Sequence, residues 1–459
     1  MASKTAPRRR RAQDGRAPVP APVAPAPQQA PHTRTGPAPV PLRLHPRPGQ
    51  LGRRLRLQQL VLVEVAAALV AVGWTVGRMV AVGAAVPALV LLVFALVPVR
   101  GRTLAEALRV RSAQRARRRE APGSVPPGTD PALAPALELD PALRTCTHAT
   151  EADLGGGRPV RRETGMVGDG TFLTSVLLVQ AKDQPLRPAR TALPLPLDLV
   201  CSALRVDDIA MESVQVVQHS QPAPAPHLPD QSLATRAYLQ LPEGPTTPAL
   251  RLTWIALKLD PERAATAVLA RGGGEEGARK ALQRVTDQLA GRLNSAGFSA
   301  TVLDERELIA ALSTATCANP LATTGRQGSG SGGPVTRRTQ ESGRFWRVDD
   351  RYHTTYWVSR WPQLAPHGGP SRIAAPELVN LVTGTPALAS VFSLTARPGT
   401  GDSVALSGHV RVVARSEHDA AQFGRQLEQR AQSAGLGLIR LDQEQAPGLL
   451  ATLPLGGTS

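Results

Sequence analysis

The sequence predicts a membrane-anchored α/β protein: an N-terminal two-helix transmembrane hairpin followed by a cytosolic mixed α/β domain. Three observations predict it. The apolar stretch Leu57 to Val99 is roughly double the 20 residues that one membrane span needs. Arginine is dense on both sides of that stretch and nearly missing within it. From Thr145 onward, runs with a two-residue period alternate with runs of helical period.

Residues 1–50 are rich in Pro, Ala and Arg. Such a segment buries too little apolar surface to offset chain entropy and reads as a disordered tail. The apolar stretch, within 51–99, divides at Gly77-Arg78-Met79 into spans 57–76 and 80–97. A single bent span would strand Arg78 in hydrocarbon. Arg53, Arg54 and Arg56 precede the first span, and Arg100 and Arg102 follow the second. Positive residues stay cytoplasmic, so the expectation is a multi-pass plasma-membrane protein with both termini cytoplasmic. The same arginines suit anionic lipid head groups. A cleaved signal peptide is a poor alternative, because the apolar run starts too far from Met1, is too long and lacks a small-residue cleavage site. Glu64 is ionisable within a span and so a functional candidate. It reads either as a group reaching the interface or as a contact to a neighbouring helix. Gly73 with Gly77, and Ala84 with Ala88, are small-residue pairs that let helix backbones approach closely.

Residues 100–144 read as a basic amphipathic helix along the membrane surface followed by a linker. The α/β domain spans 145–459. Strand patterns occur at 172–179, 209–217, 250–259, 298–303, 352–361, 387–395, 404–413 and 436–441. Helical patterns occur at 194–204, 275–296, 305–312, 376–381, 419–434 and 447–453. The clearest is 275–296, where Ala278, Leu282, Val285, Leu289 and Leu293 form one apolar face. The polar segment 323–343 reads as a flexible loop. Residues Arg292–Asp304 echo Arg430–Asp442, each with Ser-Ala-Gly at a helix end. Two similar β-α-β-α halves follow from that repeat, with Gly as the left-handed helix stop.

The net charge of +17 is unevenly placed. Residues 1–119 hold 21 Lys/Arg and 3 Asp/Glu, and the remainder holds 32 and 33. The domain therefore lacks the basic face that nucleic acid requires, and the run Arg8–Arg11 reads as part of the tail. Cys146, Cys201 and Cys317 lack metal-ligand spacing, so neither a zinc site nor a disulfide framework is indicated. Gly272-Gly273-Gly274 precedes a helix without the Lys of a phosphate loop. Asp207-Asp208 and Asp349-Asp350 are adjacent pairs with no convergent third acid. No catalytic, cofactor or metal constellation emerges.

Taken in order, several segments resemble the EccE family, a membrane core component of actinobacterial type VII (ESX) secretion. They are the basic tail, the paired spans, Gly101–Arg119, Gly165–Thr174, Leu252–Glu262 and Arg271–Arg279. The resemblance implies a non-enzymatic structural subunit that assembles with EccB, EccC and EccD types to support protein export. It also implies a glycosyltransferase-like domain without established activity. A membrane-anchored transferase using a nucleotide-activated sugar is the alternative.

Overall fold

The computed structural model describes residues 42–44, 57–96, 98–99, 102–120, 124–125, 129–152, 160–182, 194–222, 231–233, 236–237, 240, 248–327, 335–364, 373–401 and 403–458. Most of the 1–50 tail lies outside them.

The two apolar runs form α1 (Leu57–Val76) and α2 (Arg78–Leu96), broken only at Gly77. The helices pack on each other where a Cβ on Gly73 would stand 3.0 Å from Ala84 Cβ and 3.1 Å from Ala81 Cα. Among the described residues no helix is long and apolar enough to cross a membrane. This corrects the expected transmembrane hairpin and, with it, the multi-pass plasma-membrane placement.

The basic segment forms α3 (Leu104–Glu120). It was expected to lie along a membrane. Instead Gln114 is buried and donates through Nε2 to Ser342 O at 2.8 Å. Arg117 donates through Nη2 to Glu341 Oε1 at 3.0 Å and to Gln443 O at 2.8 Å.

The rest is one large sheet between two helical layers. Its strands are β1 (Arg144–Ala152), β2 (Val160–Gly168), β3 (Leu173–Ala181), β4 (Ser213–Pro222), β5 (Pro248–Leu259) and β6 (Phe298–Val302). They continue as β7 (Thr339–Glu341), β8 (Trp346–Val348), β9 (Arg351–Arg360), β10 (Ala389–Pro398), β11 (Val404–Ala414) and β12 (Gly437–Arg440). The order across the sheet is β7-β8-β9-β11-β10-β4-β5-β3-β2-β1, with β6 also on β3 and β12 also on β9. Leu42–Leu44 pair in parallel with β11, and these twelve strands pair with one another antiparallel throughout. This corrects the expected mixed, glycosyltransferase-like sheet. A doubly wound nucleotide-binding sheet needs parallel neighbours joined by helical crossovers. Here β1–β2, β4–β5 and β10–β11 are antiparallel pairs of consecutive strands, and the other neighbours are antiparallel as well.

The helices are α4 (Leu197–Ser202), α5 (Ala265–Ala270), α6 (Gly274–Ser295), α7 (Glu305–Thr316), α8 (Ala375–Thr383), α9 (Glu417–Ser433) and α10 (Gln445–Leu450). Half one runs β1-β2-β3-α4-β4-β5-α5-α6-β6-α7. Half two runs β7-β8-β9-α8-β10-β11-α9-β12-α10. The halves match element for element except α5, and they join where β4 pairs with β10, Val214 opposite Ala396 through Ser220 opposite Ser390. The sequence echo marks equivalent helix ends: Gly297 (φ 96°) and Gly435 (φ 75°) both take the positive φ that a side chain disfavours. One face of the sheet is covered by α4, α5, α6, α8 and α9, with Ala278, Ala281, Leu282, Val285 and Leu293 of α6 fully buried. The other face is covered by α7, α10 and the last residues, with Leu308, Leu312, Leu453 and Leu455 inside.

The hairpin β1–β2 carried no strand signal in the sequence, because β1 alternates Thr, Cys, Thr and His rather than large apolar residues. Of 323–343, expected as a loop, residues up to Gln327 close a helix from Pro320, and Thr339–Glu341 pair with β8.

Candidate interaction site

Three turns of half one surround an open cleft of about 840 Å³. In the first, Asp169 Oδ1 accepts hydrogen bonds from the backbone N of Thr171 (2.8 Å), from Thr171 Oγ1 (2.7 Å) and from Phe172 N (3.3 Å). Partial burial alone would raise the Asp169 pKa, but these bonds outweigh it and hold the carboxyl below its usual range. In the second, Asp260 Oδ1 accepts from Glu262 N (2.9 Å) and Arg263 N (3.2 Å), turning β5 into α5. In the third, Gly272, Gly273 and Gly274 all take positive φ and lead into α6.

Apolar Phe172, Leu173, Val268 and Leu269 line the cleft, with Leu269 72 % exposed. Asp169, Glu262 and Glu275 stand among the lining residues against one cation, Arg144. The helix start is no phosphate cradle. Its first turn already carries Glu275 and Glu276, which complement the positive end of the helix dipole. Glu275 is held by Arg279 Nη2 at 2.5 Å. Cys146 also lines the cleft, and burial pushes its thiol pKa up despite the opposing pull of Arg279. A protonated thiol is a poor nucleophile.

The paired acids are engaged by arginines. Asp208 receives Arg271 at 2.7 and 2.8 Å, and Asp207 receives Arg284 at 3.1 Å. Asp349 receives the buried Arg338 at 2.7 and 2.9 Å. Asp350 accepts from Asn319 Nδ2 at 3.1 Å. Among the described residues no group of three or more His, Cys, Asp or Glu is placed to hold a metal.

The other sequence candidates fall on the helical hairpin or outside the described residues. Gly73 is in the α1–α2 contact, Ala88 is buried and Ala84 half-buried. A Cβ on Gly77 would meet nothing within 4 Å, so of the two glycines only Gly73 marks a close approach. Glu64 is exposed. Arg53, Arg54, Arg56 and Arg100 lie outside the described residues, and Arg102 is described in its backbone alone.

Sequence reasoning missed a polar cluster inside the sheet's second face. Arg411 is fully buried, lies 3.2 Å from His353 Nδ1 and donates to Ala315 O. His219 sits near it, with Nδ1 3.9 Å from Cys317 Sγ. Burial, then the Arg411 charge, pushes the His219 pKa down to about 3 and that of His353 well below its usual value. The alternation of β11 already put Arg411 on an inward position, the one local signal available.

Residues 247–358 match the family model EccE, described as "Putative type VII ESX secretion system translocon, EccE". Over this stretch the chain is similar to the EccE family. The match covers about a quarter of the chain. It includes two of the three cleft turns and the α6–β6–α7 unit, and it ends on β9. The match supports an involvement in type VII secretion. The Gly165–Thr174 segment and the helical hairpin lie outside the matched residues. No curated protein matches the chain.

Proposed function

We propose that the chain is a non-enzymatic structural subunit of a type VII secretion complex. The observation that carries the reading is the EccE match over residues 247–358, the stretch that builds two of the three cleft turns. The engagement of Asp207, Asp208 and Asp349 by arginines supports it, since a nucleotide-sugar transferase would need free acids for its metal. EccB, EccC and EccD types are the partners. The acid-rimmed apolar cleft is one docking surface. The outer face of α1 and α2 is another, with Val72, Trp74, Met79 and Val82 each more than 60 % exposed. Exposed apolar surface of this extent marks interaction. The exposed Arg111, Arg115, Arg118 and Arg119 of α3 suit anionic lipid head groups at about 1 kcal/mol each.

The test is co-purification of the tagged chain with the other secretion components, beside export of a type VII substrate in a strain lacking the chain. Export should fail and return with the wild-type chain. Normal export without it would overturn the reading. Gly73→Leu, which drives a side chain into Ala81 and Ala84, should weaken co-purification more than Glu64→Gln.

A further inference from the structure

On the sheet face that α6 and α8 cover, the two halves leave a cavity of about 270 Å³ over the central strands. Its walls are mainly apolar, with Val179, Leu195, Val216, Phe298, Phe392 and Leu394. One end is different. Arg251, Gln218 and Asn380 line it, and Arg251 Nη2 donates to Asn380 Oδ1 at 2.8 Å.

Register explains why polar groups gather there. Arg251 of β5 lies opposite Ser220 of β4, and Ser220 lies opposite Ser390 of β10. In the neighbouring row on the same face, Thr253 lies opposite Gln218, and Gln218 opposite Phe392. Residues two apart on a strand share a face, so Arg251, Ser220, Ser390 and Gln218 all belong to the cavity's face. Ser220 and Ser390 are each 1 % exposed. Among the described residues neither hydroxyl has a hydrogen-bond partner, nor does the buried Gln218 Nε2. A buried polar group left without a hydrogen bond is destabilising. Gln218 lines the cavity, and Ser220 and Ser390 follow in the next row of the same face, just beyond its lining; together they point to a molecule that enters from the cavity and satisfies them.

The chemistry selects that molecule. A guanidinium and an amide N–H₂ donate only, and two hydroxyls are able to donate. Their complement is a head group that only accepts. A water occupies about 30 Å³ of liquid, so the cavity has the room of about nine waters. We propose that this cavity binds a small apolar carboxylate. Its tail lies among Val216, Phe298, Phe392 and Leu394, and its carboxylate lies at Arg251, Gln218, Ser220 and Ser390.

The full-length chain is titrated by calorimetry with octanoate, and with octanol and octyl phosphate as head-group controls. Octanoate should bind saturably and raise the unfolding temperature, with octanol at least tenfold weaker and octyl phosphate no tighter than octanoate. Arg251→Met should weaken octanoate at least tenfold without changing octanol. Ser390→Ala removes an unbonded buried hydroxyl and should fold normally, yet bind octanoate several-fold less tightly. Leu394→Trp should abolish binding by filling the cavity. Absence of saturable octanoate binding to the folded wild-type chain would overturn the proposal. So would equal binding of octanol, tighter binding of octyl phosphate, or an affinity that Arg251→Met and Ser390→Ala leave unchanged.

Discussion

Half one and half two repeat one order of elements but enter their long helices by different routes. In half two, β11 ends at Ala414, and Ser416 caps α9 at once, its Oγ accepting from Asp419 N at 3.0 Å. In half one the chain inserts Asp260 to Gly273, with α5 and the glycine turn, and α6 starts with no side-chain cap. The insertion forms one wall of the open cleft. Another wall is the β2–β3 turn with Asp169, and its counterpart in half two, between β8 and β9, is occupied by Asp349 on the buried Arg338. Arg338 N and Thr339 N in turn donate to the buried Glu138 at 2.8–3.0 Å. The same frame thus keeps a surface open in one half and seals it with an ion pair in the other.

The largest expected effect tests that seal. Arg338→Met leaves Asp349 without its buried partner and should cost about 3–5 kcal/mol in urea unfolding. Arg271→Met, which removes the exposed pair with Asp208 in half one, should leave the urea midpoint nearly unchanged, because solvent screens an exposed pair. Equal losses would erase the contrast between the halves.

Next in size are two buried leucines that the repeat makes equivalent, Leu289 of α6 and Leu427 of α9. Each change to Ala should cost about 2–5 kcal/mol by lost burial plus cavity. The double variant should be near the sum, because the sites lie in separate halves without shared partners. A strongly non-additive double variant would show that the halves do not pack independently.

The join between the halves should respond to acid. The folded pKa of His219 lies at about 3, against 6.5 for an ordinary histidine, and His353 moves the same way. Below pH 6.5 the unfolded chain takes up protons that the folded chain refuses. Stability is therefore full above that pH and falls as the pH drops towards 3. The slope is about 1.4 kcal/mol per pH unit for each histidine, read as the shift of unfolding midpoint with pH. His219→Gln should flatten it. A small effect is expected at the cap: Ser416→Ala should cost about 1 kcal/mol and leave α6 untouched, since α6 has no side-chain cap.

Much of this was legible locally. The face of Ala278, Leu282, Val285, Leu289 and Leu293 predicts α6 nearly to the residue, because a 3.6-residue period needs no partner to be read. The Ser-Ala-Gly echo predicts two equivalent helix ends, because a left-handed stop is a property of one residue and its neighbours. The cleft was half legible. Asp169, the Gly272–Gly274 turn and Leu252–Glu262 stood out singly, but nothing in their spacing says that they meet. The hairpin β1–β2 was missed because Thr145 and Thr147 turn towards Glu305, at 2.7 and 2.5 Å, and such pairing leaves no apolar period.

By itself, then, the sequence determined where most helices and strands form, where they stop and that the pattern recurs, since each depends on a few adjacent residues. The tertiary structure decided that nearly all strands run antiparallel. It decided that Arg411 and His353 share an interior, and that Arg251, Gln218, Ser220 and Ser390 gather in adjacent rows on one face of the sheet. These depend on register between strands far apart in the chain, where one residue of slip turns every side chain to the opposite face.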